Sequence, residues 1–355
     1  MKSLLETTRN GLYCREGDFY VDPWKPVDKA VITHAHADHA RWGSKRYLTA
    51  ETGRQVLQIR LGPKAKIDTL PFGESTKING VDVSFFPAGH ILGSGQVRLE
   101  KNGQVVVVSG DYKRGQDVTC RSFEPVRCHL FITESTFGLP IYRWPSSQSV
   151  FDQINQWWKQ NQQDGKTSLL LAYALGKAQR LLAGVDPAIG PIFTHGAVEK
   201  LNVGYRETGI QLPETNHVGR ADKSTDWSQS LVVAPPAAAG TTWVRKFGKL
   251  SVGMASGWMQ IRGTRRRRGM DRGFILSDHV DWLELLQTIE DTEAEEVWVT
   301  HGYSQIVARY LNENGLQAKA IETEFTGETL VEADDSDLDP EESEDHPQPN
   351  EVEDE

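Results

Sequence analysis

The stretch "THAHADHA", Thr33 to Ala40, sets three histidines and an aspartate within the six positions His34 to His39. Side chains at i, i+2, i+4 and i+5 cannot share one helix face, and on a regular strand His39 would point away from the others. A loop is therefore predicted, entered from the apolar run "KAVITH". In such a loop His34 and His36 can grip one ion while Asp38 and His39 turn toward a second, offering the imidazole and carboxylate donors that zinc-class ions take. Four donors do not complete two shells, so remote residues must supply the rest.

Other apolar runs also end on a His, Asp or Glu: "QVVVVSGD" on Asp111, "HLFITE" on Glu134, "FILSDH" on His279 and "EVWVTH" on His301. The more alternating "VDVSFFPAGH" delivers His90. Their length and β-branched content predict buried strands, and in layered α/β architectures the carboxyl ends of strands open into a crevice. Asp111 ends the most apolar of these runs, where a buried carboxylate without a cation is costly, so it suits a bridge between two ions. His90 and His301 can then bring a further nitrogen to each.

Helical spacing is predicted for Val150, Ile154 and Trp157, and for Val280, Leu283, Leu286 and Ile289 after His279. Residues 146–271 have an α/β rhythm of their own: strand "SLLLAYA", helix "KAQRLLAG", strand "PIFTH", helix "AVEKLNVGY", strands "SLVVAPP" and "KLSVGMAS". A second α/β unit inserted into the first is the expectation.

Charge is unevenly placed. Residues 332–355 hold thirteen acidic side chains and no Lys or Arg, so the formal charge of -10 divides into -13 on this tail and +3 on the remainder. A tail so poor in apolar residues cannot bury enough surface to offset its ordering entropy and is expected to be disordered, a solubilising end before a nucleic-acid mimic. Cys14, Cys120 and Cys128 lack C-x-x-C spacing, which argues against disulfides and thiolate metal sites. "MKSLLETTRN" has no apolar secretion stretch, and a cytoplasmic location is expected.

With these motifs in place, the chain resembles the metallo-β-lactamase superfamily in its β-CASP nuclease branch. The resemblance spans roughly residues 10–331 and rests on seven stretches in family order: "DP" (Asp22), "HAHADH" (34–39), "PAGH" (His90), "SGDYKR" (Asp111), "TEST" (Glu134), "SDHVDW" (His279) and "VTHGYS" (His301). It implies an αββα sandwich, residues 1–145 and 272–331, with an inserted α/β β-CASP domain at 146–271 and the acidic tail at 332–355. It implies two divalent ions, zinc with manganese as the alternative: one on His34, His36, His90 and Asp111, the other on Asp38, His39, Asp111 and His301. Asp22 would orient the ligand loop by hydrogen bonds, and Asp38, Glu134 and His279 would form the catalytic set. Overall length and the "RRRRGMDRGF" approach to "SDH" resemble the ligase-associated DNA exonucleases of that branch, which implies DNA repair and a DNA ligase and helicase as partners.

The implied chemistry is phosphodiester hydrolysis, with His279 protonating the leaving oxygen. A helix opening at His279 would depress its pKa by the dipole, and Glu134 would restore a protonated fraction. Arg262, Arg265, Arg266, Arg267, Arg268 and Arg272 cluster before His279 and suit a phosphate backbone, although an isolated run of this kind is equally a solvated loop. Lys177, at the strand-to-helix turn of "ALGKAQRLL", and Ser135 and Thr136 of "ESTFG" are weaker nucleic-acid candidates. His195 heads a second "THG", and family order selects His301 over it; His129, His195 and His217 are expected to be ordinary core or surface imidazoles. Alternative functions are an RNA-processing β-CASP ribonuclease, favoured by His301 because Artemis-like DNA-acting members commonly lack it, and an inactive nucleic-acid- or protein-binding subunit, which would have lost ligands that are present here.

Overall fold

The computed structural model describes residues 3–261, 263 and 269–323. Strands β1 (Leu5–Thr8), β2 (Gly11–Cys14), β3 (Phe19–Val21), β4 (Lys29–Val31), β5 (Arg46–Ala50) and β6 (Ile67–Leu70) form the first sheet in that order. Pairing is antiparallel up to β3 and parallel beyond it, with α1 (Arg54–Leu61) crossing from β5 to β6. The second sheet begins with β7 (Ser75–Ile78), β8 (Val81–Pro87), β9 (Gly95–Lys101), β10 (Gln104–Val108) and β11 (Leu130–Glu134).

The chain then leaves to build a third sheet. Helices α2 (Ser147–Gln163), α3 (Lys177–Gly184) and α4 (Gly196–Glu207) accompany β12 (Thr167–Leu171), β13 (Ile192–Thr194), β14 (Asn216–His217), β15 (Leu231–Ala234), β16 (Leu250–Ala255) and β17 (Arg272–Phe274). Its order is β14-β13-β15-β12-β16-β17, parallel at every pairing. The chain returns through α5 (Trp282–Asp291), β18 (Glu296–Thr300), α6 (Ser304–Glu313) and β19 (Gln317–Ala320), completing a second sheet of order β19-β18-β11-β10-β9-β8-β7.

The first two sheets pack face to face. Val21 and Val31 of one meet Val83, Phe85, Val106, Val108 and Ile132 of the other. The alternate residues Val107 and Phe131 face the other way, onto Leu285 and Ile289 of α5 and Val307 and Leu311 of α6. Burial on both faces is why "VVVV" reads as an unbroken apolar run. The far side of the first sheet, with Ile32 and Tyr47, shares a core with Val56 of α1, Leu170 of β12, Leu181 of α3 and Leu201 of α4. Along β12 the neighbours Leu169 and Leu171 point to the opposite face. Trp158 of α2 is fully buried and donates from Nε1 to the Gln229 carbonyl, while Trp157 donates to Ser251 Oγ.

Two sequence expectations are corrected near "FILSDH". The strand stops at Phe274 rather than running toward His279, because the segment folds away: the His279 amide bonds Ser277 Oγ at 3.0 Å and Val280 N bonds the Tyr112 carbonyl at 2.9 Å. The helix then starts at Trp282, with Asp281 Oδ1 accepting from Leu283 N and Glu284 N. His279 thus lies outside the helix, three residues before its first residue. The buried helix face carries Leu285, Thr288 and Ile289, while Leu283 is 57% exposed. The three cysteines are free, with Cys14 and Cys128 in the cores. Among the described residues no helix is long and apolar enough to cross a membrane. The expected disorder of residues 332–355 lies outside the described residues.

Candidate metal centre

β8, β10, β11 and β18 run in one direction, so their carboxyl ends share an edge of the second sheet. The loop after β4 meets that edge. It turns at His36, whose carbonyl accepts the amides of His39 (3.1 Å) and Ala40 (2.8 Å). Asp22, just past β3 and at φ 44°, braces it by accepting Thr33 N (2.8 Å), Thr33 Oγ1 (2.6 Å) and His39 Nδ1 (2.8 Å). Having given its proton to Asp22, the Thr33 hydroxyl accepts from His34 Nδ1 at 3.0 Å. His34 and His39 therefore hold a proton on Nδ1 and turn Nε2 toward the cluster. Thr33 passes so near β10 that a Cβ on Gly110 would sit 2.6 Å from Thr33 Cβ, which is why a glycine precedes Asp111.

The other two imidazoles of the first set are held by carbonyls. His90 Nδ1 donates to Asp278 O at 2.8 Å and His36 Nε2 to Leu175 O at 3.2 Å. Their opposite nitrogens, His90 Nε2 and His36 Nδ1, lie 3.1 Å apart with lone pairs facing each other. Nitrogens about 2.0–2.1 Å from one tetrahedral ion stand about 3.3 Å from each other, so a cation resolves this repulsion. His34, His36, His90 and Asp111 place one donor atom each within 4.8 Å of one another, and so do His39, Asp111 and His301. Asp111 belongs to both sets, with Oδ2 3.5 Å from His34 Nε2 and from His39 Nε2, and Oδ1 3.8 Å from His301 Nδ1. Asp38 stands at the edge of the second set, its Oδ2 3.8 Å from His39 Nε2.

Four atoms of this cluster are buried without any hydrogen-bond partner: His34 Nε2, His39 Nε2, Asp111 Oδ1 and His301 Nδ1. Buried polar atoms seldom go unpaired, and here the orphans are the donor atoms of the two sets, so the residues fit a pair of divalent ions. Burial holds His34 well below the usual imidazole range, aided by His39, and burial with His279 beside it lowers His90 to about 3. Both rings stay neutral, as ligation requires. Burial alone would lower His39, but Asp111, Asp38 and Asp22 around it push it well above that range. Burial would likewise raise Asp111, yet His39 and His279 hold its carboxyl well below the usual range.

Beside the two sets, His279 Nδ1 meets both oxygens of Glu134, at 2.9 and 2.8 Å. Glu134 Oε1 also accepts from Tyr112 N (3.0 Å), which ties the pair to the strand end bearing Asp111. His301 reaches its place at φ 53°, with Ser135 Oγ donating to the Thr300 and His301 carbonyls. Gly302 follows at φ 57°, where a Cβ would sit 2.5 Å from Ser135 O.

Some sequence candidates go elsewhere. Lys177 is corrected: it is wholly buried, with its ammonium 2.8 Å from Asp278 Oδ1, so it is not offered to a phosphate. Ser135 is corrected likewise, since its hydroxyl is spent on backbone carbonyls. Thr136 is buried, Arg272 is exposed with its guanidinium over the Phe274 ring, and Arg262 and Arg265 to Arg268 lie outside the described residues. His195 caps α4 by accepting from Ala197 N, His129 accepts from Val105 N and His217 from Gly219 N, so none joins the cluster. Asp278 was missed; its place beside His279 was the only clue, and its carbonyl contact to His90 has no sequence signal.

No protein-family model matches the chain. It is 30% identical over 315 residues to a protein of Opitutus terrae named "Probable DNA ligase", a match covering 88% of this chain and 30% of that one. It is 26% identical over 206 residues to the "RNase J-like protein" of Methanocaldococcus jannaschii (49% and 48% of the two chains). It is 31% identical over 166 residues to "Cleavage and polyadenylation specificity factor 73" of Drosophila melanogaster (44% and 24%). The chain thus spans less than half the length of each of these relatives. A crystal structure of a protein of unknown function from Enterococcus faecalis superposes with a TM-score of 0.56 over 83% of this chain and 79% of that one at 11% identity, a likeness of fold alone. With its mixed α/β sheets and the His/Asp cluster at their strand ends, the chain belongs, as these curated relatives do, to the metallo-β-lactamase superfamily in its β-CASP branch.

Proposed function

We propose that the protein is a metal-dependent nuclease, a two-metal phosphodiester hydrolase acting as a DNA exonuclease in ligase-associated repair. The observation that carries this reading is the sharing of Asp111 between the two donor sets, with the His279–Glu134 pair alongside. When bound, a pair of divalent ions supplies a nucleophile at neutral pH and Lewis acidity toward a phosphate oxygen. His34, His36, His90 and Asp111 would hold one ion, and His39, Asp111, His301 and Asp38 the other. His279, fixed by Glu134 through Nδ1, exchanges the proton of the leaving oxygen at Nε2. Exposed Arg272 begins the run of sequence toward His279 and, with the other five arginines of its segment, follows the phosphate backbone.

The Opitutus terrae relative favours the DNA reading: its name is that of a ligase, and the chain matches 30% of it, as a nuclease unit joined to a ligase would. On this reading the β-CASP insertion is the unit of the third sheet, which runs on past the expected bound of 271 to Phe274 because β17 pairs with β16, and a DNA ligase and helicase are the partners. A ribonuclease is the second reading, favoured by His301 beside Asp111 and by the names of the other two relatives. End-labelled single-stranded and duplex DNA and matched RNA, incubated with the protein and zinc or manganese, decide between them. Mononucleotide release from DNA alone is expected; release from RNA alone would replace the first reading with the second, and no release from any polymer would remove both. Neutralising four of the arginines should flatten the salt dependence of binding.

A further inference from the structure

The turn from β12 to α3 touches the first donor set directly at His36 and reaches it twice more through neighbours of His90, Ile91 and Asp278. Leu175 O accepts from His36 Nε2. Gly176, which precedes α3 at φ 86°, packs so closely that a Cβ would sit 2.2 Å from Ile91 Cγ2, next to His90. Lys177, the first residue of α3, reaches the buried Asp278 carboxylate at 2.8 Å, and the carbonyl of that same residue receives His90 Nδ1 at 2.8 Å. In contrast, the braces of the second set, Asp22 on His39 and Ser135 on the His301 carbonyl, come from the two-sheet body.

We propose that Lys177 is a positioning residue for the first metal centre: its ion pair with Asp278 fixes the carbonyl that orients His90, and with Leu175 O it makes occupancy of that centre depend on how the β12–α3 turn is seated. The inference rests on the two-ion reading. A histidine ligand presents the correct nitrogen only while its other N–H is held, and losing such a partner weakens ligation. A buried carboxylate stripped of its ammonium is driven to move toward water. That movement displaces residue 278 and the carbonyl on it. Shifting this turn therefore loosens His36 and His90 together and leaves His39 and His301 in place.

Zinc is the probe, on the full-length chain. Wild-type protein, Lys177→Met, Lys177→Gln (which keeps a donor toward Asp278), Asp278→Asn and the Lys177→Met/Asp278→Asn double variant are titrated with zinc against a chelator of known affinity, and apo-protein Tm is measured for each. Wild type should bind two ions. Lys177→Met should lose about 10- to 100-fold in affinity for one ion and none for the other. Lys177→Gln should lose less, and the double variant no more than Lys177→Met, because the two side chains act through one contact. A Lys177→Met protein with lowered apo Tm and two wild-type zinc affinities would overturn the proposal, leaving the pair a role in folding only. Equal weakening of both ions, or additive losses in the double variant, would overturn it too. Wild type without zinc would overturn the two-ion reading itself.

Discussion

His36 Nδ1 and His90 Nε2 face each other across 3.1 Å, each with its other ring nitrogen donating to a backbone carbonyl. Two lone pairs held that close repel unless a cation or a proton lies between them, and burial, with His279 alongside, has moved His90 protonation down to about 3. Metal removal should therefore destabilise the fold. Free zinc at about a hundred times its Kd adds about 2.7 kcal/mol per site. Calorimetry with and without chelator checks this, and a Tm indifferent to zinc would contradict the site.

Asp22 braces the loop through both oxygens at a left-handed backbone position that asparagine also tolerates. Asp22→Asn should leave the backbone intact and lose the charged acceptor for His39 Nδ1. Affinity at the second centre should fall about 10- to 100-fold, and less at the first, which Asp22 reaches only through the Thr33 hydroxyl on His34. Stoichiometric zinc titration measures it.

His279 touches Glu134 and is absent from the two donor sets that include loop histidines, although it also forms close groups with Asp111 and Glu134 and with His90 and Asp278. His279→Ala should keep metal content near wild type while nuclease turnover drops at least about 100-fold. Elemental analysis run alongside the activity assay separates the two effects; loss of metal in this variant would make His279 a ligand.

The two "THG" histidines should separate cleanly. His301→Ala removes a donor 3.8 Å from Asp111 Oδ1 and should reduce bound metal at the second centre. His195→Ala removes the cap of α4, so it should lower stability by about 1 kcal/mol and leave metal content unchanged. Equal metal loss in both would undo the assignment.

Much of the candidate site was legible because the residues gathered in it follow buried strands. "VVVVSGD" announces its burial by composition, and a polar residue closing such a run needs a partner, so Asp111 could be picked out; His301 closes "EVWVTH" as His195 closes "PIFTH", and only the family resemblance separated the two. "FILSDH" misled: the run looks like one strand, yet Ser277 Oγ captures the His279 amide and bends the chain out of the third sheet. Lys177 misled differently, since a lysine after a glycine turn looks like a phosphate contact until burial assigns it to Asp278.

By itself the sequence determined the donor types and their stations at strand ends, because strand burial and loop entry are set by residues close in the chain. Only the tertiary structure decided which atoms hold those donors: Leu175 O on His36, Asp278 O on His90, Glu134 on His279 and Ser135 on the His301 backbone. Every residue offers a carbonyl, and an ion pair across about a hundred residues leaves no local pattern, so these partners exist only once packing has brought distant backbone together.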